Sequence, residues 1–349
     1  MTILQDIRIG IIGAGQNTLK MHLPRLQAIQ GVRLIEVANR SIESGKTVAS
    51  KWGIPKVRAS WTEVATSPEV DAVVIGTWPY LHCEATCTAL NAGKHVLCEA
   101  RMAMNADEAQ TMLSIAQGHP GQVAQIVPAP FTLHADELVA DLLNNGTLGL
   151  LSHFHMEFQS PPTQAENAPL HWRRNRKLSG NNIMMLGILY ESLLRWLPPA
   201  RWVQAAARVF NGRARDPETG DRIEVDVPDY LSVQLELENG IQGTLLMSER
   251  AVCPDIPFVK FFGERGSLHL ELNPAGNLHL TLAGSGKNPI PLPSLPDSGW
   301  RVEEEFINSI RGRETVKRTR FETGVQYMRF TDAVNKSFRE GGSRVPVAG

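Results

Sequence analysis

Gly13-Ala14-Gly15 follows the β-branched run Ile7 to Ile12 without a gap and precedes a helical stretch, MHLPRLQAI. A chain that leaves a strand, turns tightly and enters a helix exposes backbone amides at the helix N-terminus, where a pyrophosphate is held by hydrogen bonds and by the helix dipole. Gly13, Gly15, Gln16, Asn17 and Thr18 are the expected contacts of that group. Thr18 stands where a three-glycine fingerprint has its last glycine, which weakens the pattern and requires helix and strand to stand slightly apart. The second strand ends in Asn39-Arg40-Ser41, with no carboxylate to meet a ribose diol. Arg40 can pair with a 2′-phosphate while Asn39 and Ser41 supply hydrogen bonds, which points to NADP, NAD remaining possible. The alternative is that Arg40 is a solvated surface charge on a site that takes either dinucleotide.

Hydride transfer also needs a group that takes or gives a proton as charge develops on oxygen. Tyr190 and Glu191 lie in the apolar stretch Ile183 to Leu197, expected to be a helix. Burial there raises a carboxyl pKa and makes Glu191 a candidate acid, whereas Arg195 four residues on offers a plain ion pair. His171-Trp172-Arg173-Arg174 falls in a polar loop from Ser160 to Gly180. Paired arginines in such a loop can recognise a carboxylate, sulfonate or phosphate, and a solvated basic run is the other reading. Asn181 and Asn182 add polar groups beside the apolar helix, and Trp172, Arg173 and Asn182 are taken as substrate contacts. His153, His155 and Glu157 share one face of a strand, but no second ligand cluster accompanies them, so no metal is expected. The four cysteines, Cys83, Cys87, Cys98 and Cys253, fit neither a disulfide framework nor a zinc ligand set.

These residues need a scaffold, and the pattern supplies one in two parts. From Ile7 to about Val127 short apolar strands alternate with helical stretches, as in a parallel sheet with helices on both faces, an α/β dinucleotide-binding domain over 1–127. Asn105 caps a helix whose first turn carries Asp107 and Glu108. Over 128–349 long alternating segments (HFHMEFQ, WVQAAARVF, YLSVQLELENGIQGTLLMSE, FVKFFGE, GSLHLEL, NLHLTLAG) predict an α+β domain with a large, mostly antiparallel open sheet. Asn239-Gly240 signals a hairpin with a type I′ turn. The chain has 349 residues, 42% of them hydrophobic and 20% charged, and 35 Lys+Arg against 36 Asp+Glu give a net charge of -1. No basic field is available for nucleic acid or an anionic membrane. The absence of a long apolar run and of a leader pattern sets the expectation of a cytoplasmic protein.

Thr77-Trp78-Pro79-Tyr80-Leu81-His82, followed by Leu90-Asn91-Ala92-Gly93-Lys94-His95-Val96-Leu97-Cys98-Glu99, resembles the glucose-fructose oxidoreductase / inositol dehydrogenase (Gfo/Idh/MocA) family. GIIGAG, NNGTLG, DVPDYLSVQLELENG and the closing helix with SRVPV extend the resemblance to both ends. It implies a Rossmann domain with a C-terminal α/β domain, dimers or tetramers built through the open sheet, and NAD(P)-linked chemistry on sugars, cyclitols and related hydroxy compounds. It also implies that Thr77, Trp78, Pro79, His82, Glu99 and Ala100 border the cofactor. The family's Glu-Lys-Pro, whose lysine touches nicotinamide and substrate hydroxyl, is replaced here by Glu99-Ala100-Arg101. Anchoring the family's Asp-x-Gly-x-His on Gly187 puts Met185 and Leu189 at its titratable positions. The expectation is an oxidoreductase with a non-standard acid/base set, in which Arg101 or Tyr190 takes the lysine's electrostatic role and Glu191 or His171 shuttles the proton. Two rivals stand beside it: a redox-neutral hydrolase or lyase that recycles tightly held cofactor, and a non-catalytic dinucleotide or sugar-binding protein.

Overall fold

The computed structural model describes residues 6–165, 167–273, 277–283 and 299–347. The chain forms two compact units, Met1–Pro128 with Arg301–Val325, and Ala129–Trp300 with Gln326–Gly349.

The first part alternates strand and helix in the order β1 (Ile7–Ile12), α1 (Leu23–Ala28), β2 (Val32–Ala38), α2 (Ile42–Trp52), β3 (Lys56–Val57), α3 (Trp61–Ala65), β4 (Ala72–Ile75), α4 (His82–Asn91), β5 (His95–Cys98), α5 (Ala106–Gly118) and β6 (Ala124–Ile126). The six strands pair in parallel in the order β3-β2-β1-β4-β5-β6. Ile9, Ile11, Val73, Val74, Ile75, Val96 and Leu97 have no exposed surface, as strands covered on both faces require. Local chemistry sets the helix starts. Asn105 Oδ1 accepts from Glu108 N at 2.9 Å, and Ser41 Oγ accepts from Ser44 N at 3.2 Å.

The second part runs α6 (Asp136–Asn144), β7 (Leu151–Gln159), α7 (Arg176–Ser179), α8 (Leu186–Leu194), β8 (Ala200–Arg208), β9 (Arg213–Arg215), β10 (Arg222–Glu224), β11 (Tyr230–Leu237), β12 (Gln242–Ser248), β13 (Phe258–Gly263), β14 (Gly266–Glu271) and β15 (Leu278–Leu282). Two helices, α9 (Val302–Ile310) and α10 (Phe321–Arg339), and the short β16 (Val345–Pro346) complete the chain. The large sheet has the order β15-β14-β13-β7-β12-β11-β8-β16, antiparallel except for the β12–β7 pair. Phe154, Leu231, Leu245, Val259 and Phe261 on its inner face are almost fully buried. Tyr190 of α8 stacks on Phe330 of α10 with ring centroids 3.7 Å apart, and Ser337 Oγ accepts from Ala205 N at 2.8 Å, which seats α10 on β8.

Three expectations change. The helix expected from Ile183 starts only at Leu186, because Met184 takes a positive φ of 43°. The 239–240 hairpin forms, but not through a type I′ turn. Only Gly240 has a positive φ (87°), and Gly240 N→Leu237 O (2.9 Å) with Leu237 N→Ile241 O (2.9 Å) makes a three-residue loop closed by a glycine bulge. Helix α9 was not expected, and 301–325, expected within the second domain, belongs to the first unit, following seven of the eight strands of the second sheet and preceding β16.

Candidate functional site

In the strand order of the first sheet the direction of winding reverses between β1 and β4, the place where open parallel sheets bind ligands at their carboxyl ends. The glycine turn after β1 and Gly76 after β4 meet there. Gly13 has φ 80°, and a Cβ on it would fall 2.5 Å from Thr77 Cγ2 and 2.9 Å from Thr77 N. The turn is therefore glycine for steric reasons as well as conformational ones. Thr18, the departure from the fingerprint, is buried and its Oγ1 donates to Gly13 O at 3.3 Å. Its room comes from Gly76, where a Cβ would lie 2.0 Å from Thr18 Oγ1. Thr18–His22 is also wound as a π-helical turn, so the missing glycine is offset by a second glycine across the crevice and by a wider first turn.

Gly15, Gln16 and Asn17 are exposed at the start of this helix, with their amides toward its N-terminus. Asn39 Oδ1 accepts from Ala14 N at 2.7 Å, tying the end of β2 to the turn. Arg40 and Ser41 are exposed, Ser41 serving as the cap of α2. The carboxylate on β2, Glu36, is fully buried and occupied by Arg58 (2.6 and 3.0 Å) and Ser67 (2.9 Å). Thr77 and Trp78 are half-buried and Pro79 buried. His82 is fully buried, with Nδ1 2.9 Å from Arg101 O and Nε2 3.1 Å from Thr77 O, so the neutral ring donates to one carbonyl at a time. Burial lowers its pKa.

Beneath the turn lies a charged group that the sequence did not reveal. Asn17 Nδ2 donates to Glu99 Oε1, His22 Nε2 lies 2.9 Å from the same oxygen, and His22 Nδ1 lies 2.6 Å from Glu303 Oε1. Burial alone depresses the His22 pKa, but hydrogen bonds to Glu303 and Glu99 outweigh it and raise the value to about 9. The Glu99 carboxyl is held below its ordinary range because His22 overcomes the burial penalty. An imidazolium thus sits between two carboxylates, and Glu99 passes the restraint on to Asn17 at the mouth of the turn. Ala100 N also donates to Glu99, at 3.2 Å to Oε2, and Arg101 is buried next to it across a cis peptide bond.

The second unit treats the remaining candidates differently. Tyr190 is 1% exposed and its hydroxyl accepts from Ala200 N at 2.6 Å, while burial pushes its pKa upward. Glu191 is 2% exposed, pairs with Arg195 at 2.6 and 3.0 Å and accepts from Ala129 N at 2.9 Å. Arg195 also reaches Asp136 at 3.3 Å and the carbonyls of Ala129 and Phe131. Tyr190 and Glu191, expected as catalytic groups, are both engaged in hydrogen bonds that hold α8 and the 129–136 segment. We expect Tyr190→Phe and Glu191→Gln each to cost about 2 kcal/mol in denaturant unfolding, the worth of one buried hydrogen bond to a backbone or charged partner. A variant as stable as the parent would contradict the assignment.

Asn182 is likewise buried, with Nδ2 donating to Ser179 O at 2.7 Å, so it closes the loop before α8. His171 and Trp172 are half-buried, and Arg173 lies over the Trp172 ring at 4.4 Å. His171 Nδ1 accepts from Arg173 N at 3.3 Å, which leaves the ring proton on Nε2, and burial, with Arg173 beside it, lowers the His171 pKa. Hydrogen bonds and close contacts link Gly13, Asn17, Thr18, Asn39, Thr77, His82, Glu99 and Arg101 into one site in the first unit. His171, Trp172 and Arg173 form a group of their own in the second.

A trans-1,2-dihydrobenzene-1,2-diol dehydrogenase of Bos taurus is 29% identical over 293 residues, 83% of this chain and 80% of that protein. An uncharacterised oxidoreductase of Synechocystis is 28% identical over 272 residues, 77% of this chain and 73% of its own length. Among solved structures, a levoglucosan dehydrogenase in complex with NADH has the same fold, with a TM-score of 0.84 at 18% identity, covering 99% of this chain and 100% of that one. The NAD-binding Rossmann model of the Gfo/Idh/MocA oxidoreductase family matches residues 7–126, and the family's C-terminal domain model matches residues 137–269. With a glycine turn at the switch point of the first sheet and both of its halves matched, the chain belongs to the Gfo/Idh/MocA family of NAD-binding oxidoreductases.

Proposed function

We propose that this oxidoreductase prefers NADP and acts on a hydroxyl or carbonyl carbon of a sugar-like, polyhydroxylated compound. The observation that carries the cofactor reading is the end of β2. Its carboxylate, Glu36, is consumed by Arg58 and Ser67, and exposed Arg40 and Ser41 are the groups proposed to read the ribose. The amides of Gly15, Gln16 and Asn17 hold the pyrophosphate, and the Glu303-His22-Glu99 group fixes Asn17 above them. The nicotinamide supplies or accepts the hydride when bound. With the Tyr190 and Glu191 side chains engaged in packing, Arg101 is the group proposed to favour charge developing on the substrate oxygen. The substrate class is supported by relatives named as dehydrogenases of a diol and of levoglucosan.

The test is a calorimetric titration with NADPH and NADH of the wild type and of Arg40→Ala. NADPH should bind at least tenfold more tightly, about 1.4 kcal/mol, and the variant should erase that margin while leaving NADH unchanged. Equal affinities, or a margin untouched by Arg40→Ala, would overturn the NADP assignment. Arg101→Ala should then lower kcat in a screen of sugars and cyclitols while the protein still binds dinucleotide. Unchanged turnover would remove Arg101 from the mechanism.

A further inference from the structure

In the second unit, a cavity of about 520 Å³ opens among the 162–165 loop, the segment 209–213 after β8, and Arg250 after β12. That is within the size range of small-molecule sites. Its walls are built rather than casual. Gln164 and Asn211, 5% and 7% exposed, both line it. Asn211 is fixed from behind: its N donates to Asp229 Oδ2 at 2.9 Å, its carbonyl accepts from Arg174 Nη2 at 2.7 Å, and its Nδ2 donates to Gln164 O at 3.0 Å. Gln164 Oε1 accepts from His171 N at 2.8 Å. What remains is one donor, Gln164 Nε2, and one acceptor, Asn211 Oδ1, each buried with no hydrogen-bond partner among the described residues. Buried polar groups are ordinarily hydrogen-bonded, so these two call for an explanation.

The charge around the cavity is one-sided. Asp229 is used by the amides of Phe210 and Asn211 and lies 3.6 Å from Arg174, while Glu249 accepts from Thr163 Oγ1 at 2.6 Å. Arg213 and Arg250, both exposed on the lining, have no carboxylate within ion-pair distance among the described residues. Phe210, 54% exposed, leaves an aromatic surface on the same lining.

We infer that this cavity binds a polyhydroxylated carboxylate, a sugar acid. A hydroxyl can accept from Gln164 Nε2 or donate to Asn211 Oδ1, and a polyol supplies one for each. The carboxylate meets the Arg213 and Arg250 guanidiniums, and the C–H groups of the polyol chain cover Phe210. No dinucleotide enters this argument, so it stands apart from the cofactor reading.

The experiment titrates the full chain, freed of dinucleotide, with D-gluconate, D-glucose and inorganic phosphate, beside Arg213→Gln and Arg250→Gln. Gluconate should bind at least tenfold more tightly than glucose. Each variant should weaken gluconate severalfold, and the two together should bring it to the glucose level. Melting temperature and NADPH titration, run on the same samples, should not change. No gluconate binding, glucose binding as tight as gluconate, or affinity indifferent to both variants would overturn the assignment. Phosphate binding as tightly as gluconate would also overturn it, since it would leave a bare anion site with no role for Gln164 and Asn211.

Discussion

His22→Ala should lower the unfolding free energy by about 3–5 kcal/mol, a loss expected when the cation is removed from between buried carboxylates. Glu303 is 2% exposed and Glu99 12%, so little water reaches either. Arg25 stands 4.0 Å from Glu303 and is 40% exposed, too distant and too hydrated to take over. The effect carries a pH signature. The folded His22 pKa of about 9 lies above its ordinary 6.5, so its contribution is complete below about pH 6.5 and fades as pH rises through 9. Wild type should therefore lose about 3 kcal/mol over that window that the variant does not lose. The depressed Glu99 acts at the other limit, its contribution present above the usual carboxylate range and lost as acid protonates it. Guanidinium unfolding of both proteins at pH 6 and pH 9.5 measures the difference. Parallel pH slopes would show that His22 is not the bridging cation.

Gly76→Ala should weaken dinucleotide binding by two orders of magnitude and destabilise the first unit by about 1–3 kcal/mol, the usual cost of overpacking. The new methyl would lie 2.0 Å from Thr18 Oγ1 and 2.3 Å from Gly13 O. The first clash can be relieved by a side chain, but the second is with the backbone of the turn that holds the phosphates. Thr18→Gly added to Gly76→Ala should accordingly restore stability in part and binding hardly at all. Thermal melts and NADPH titrations of the single and double variants separate the two clashes. A Gly76→Ala protein that binds like the parent would mean that the turn yields without cost.

The sequence made the periodic parts of this molecule readable because strand and helix patterns are local. The apolar runs of β1, β4 and β5, the Asn105 cap and the long alternating segments of the second sheet all declare themselves within a dozen residues. The sequence could nominate a candidate site where it is made of consecutive residues, as in Gly13 to Thr18 and Asn39 to Ser41. It was not legible where partners are distant in the chain. His22 meets Glu303 across 281 positions, and Thr18 fits because of Gly76, so neither relation leaves a periodic trace. Tyr190 and Glu191 show the reverse case. A helix that is apolar all round is buried, and polar residues within it are more readily satisfied by neighbours such as Ala200 and Arg195 than kept free for chemistry.

The return of 301–325 to the first unit has a consequence for how the protein is made. A ribosome emits residues in order, and Glu303 emerges only after seven of the eight strands of the second sheet, all but β16, have been synthesised. Until then the nascent Rossmann sheet holds His22 and Glu99 without the second carboxylate that completes their charge balance. The dinucleotide half, first in sequence, is thus among the last parts of the chain to mature. A fragment ended at Pro128 should accumulate as an incompletely locked intermediate, recoverable by supplying 301–325 as a separate peptide.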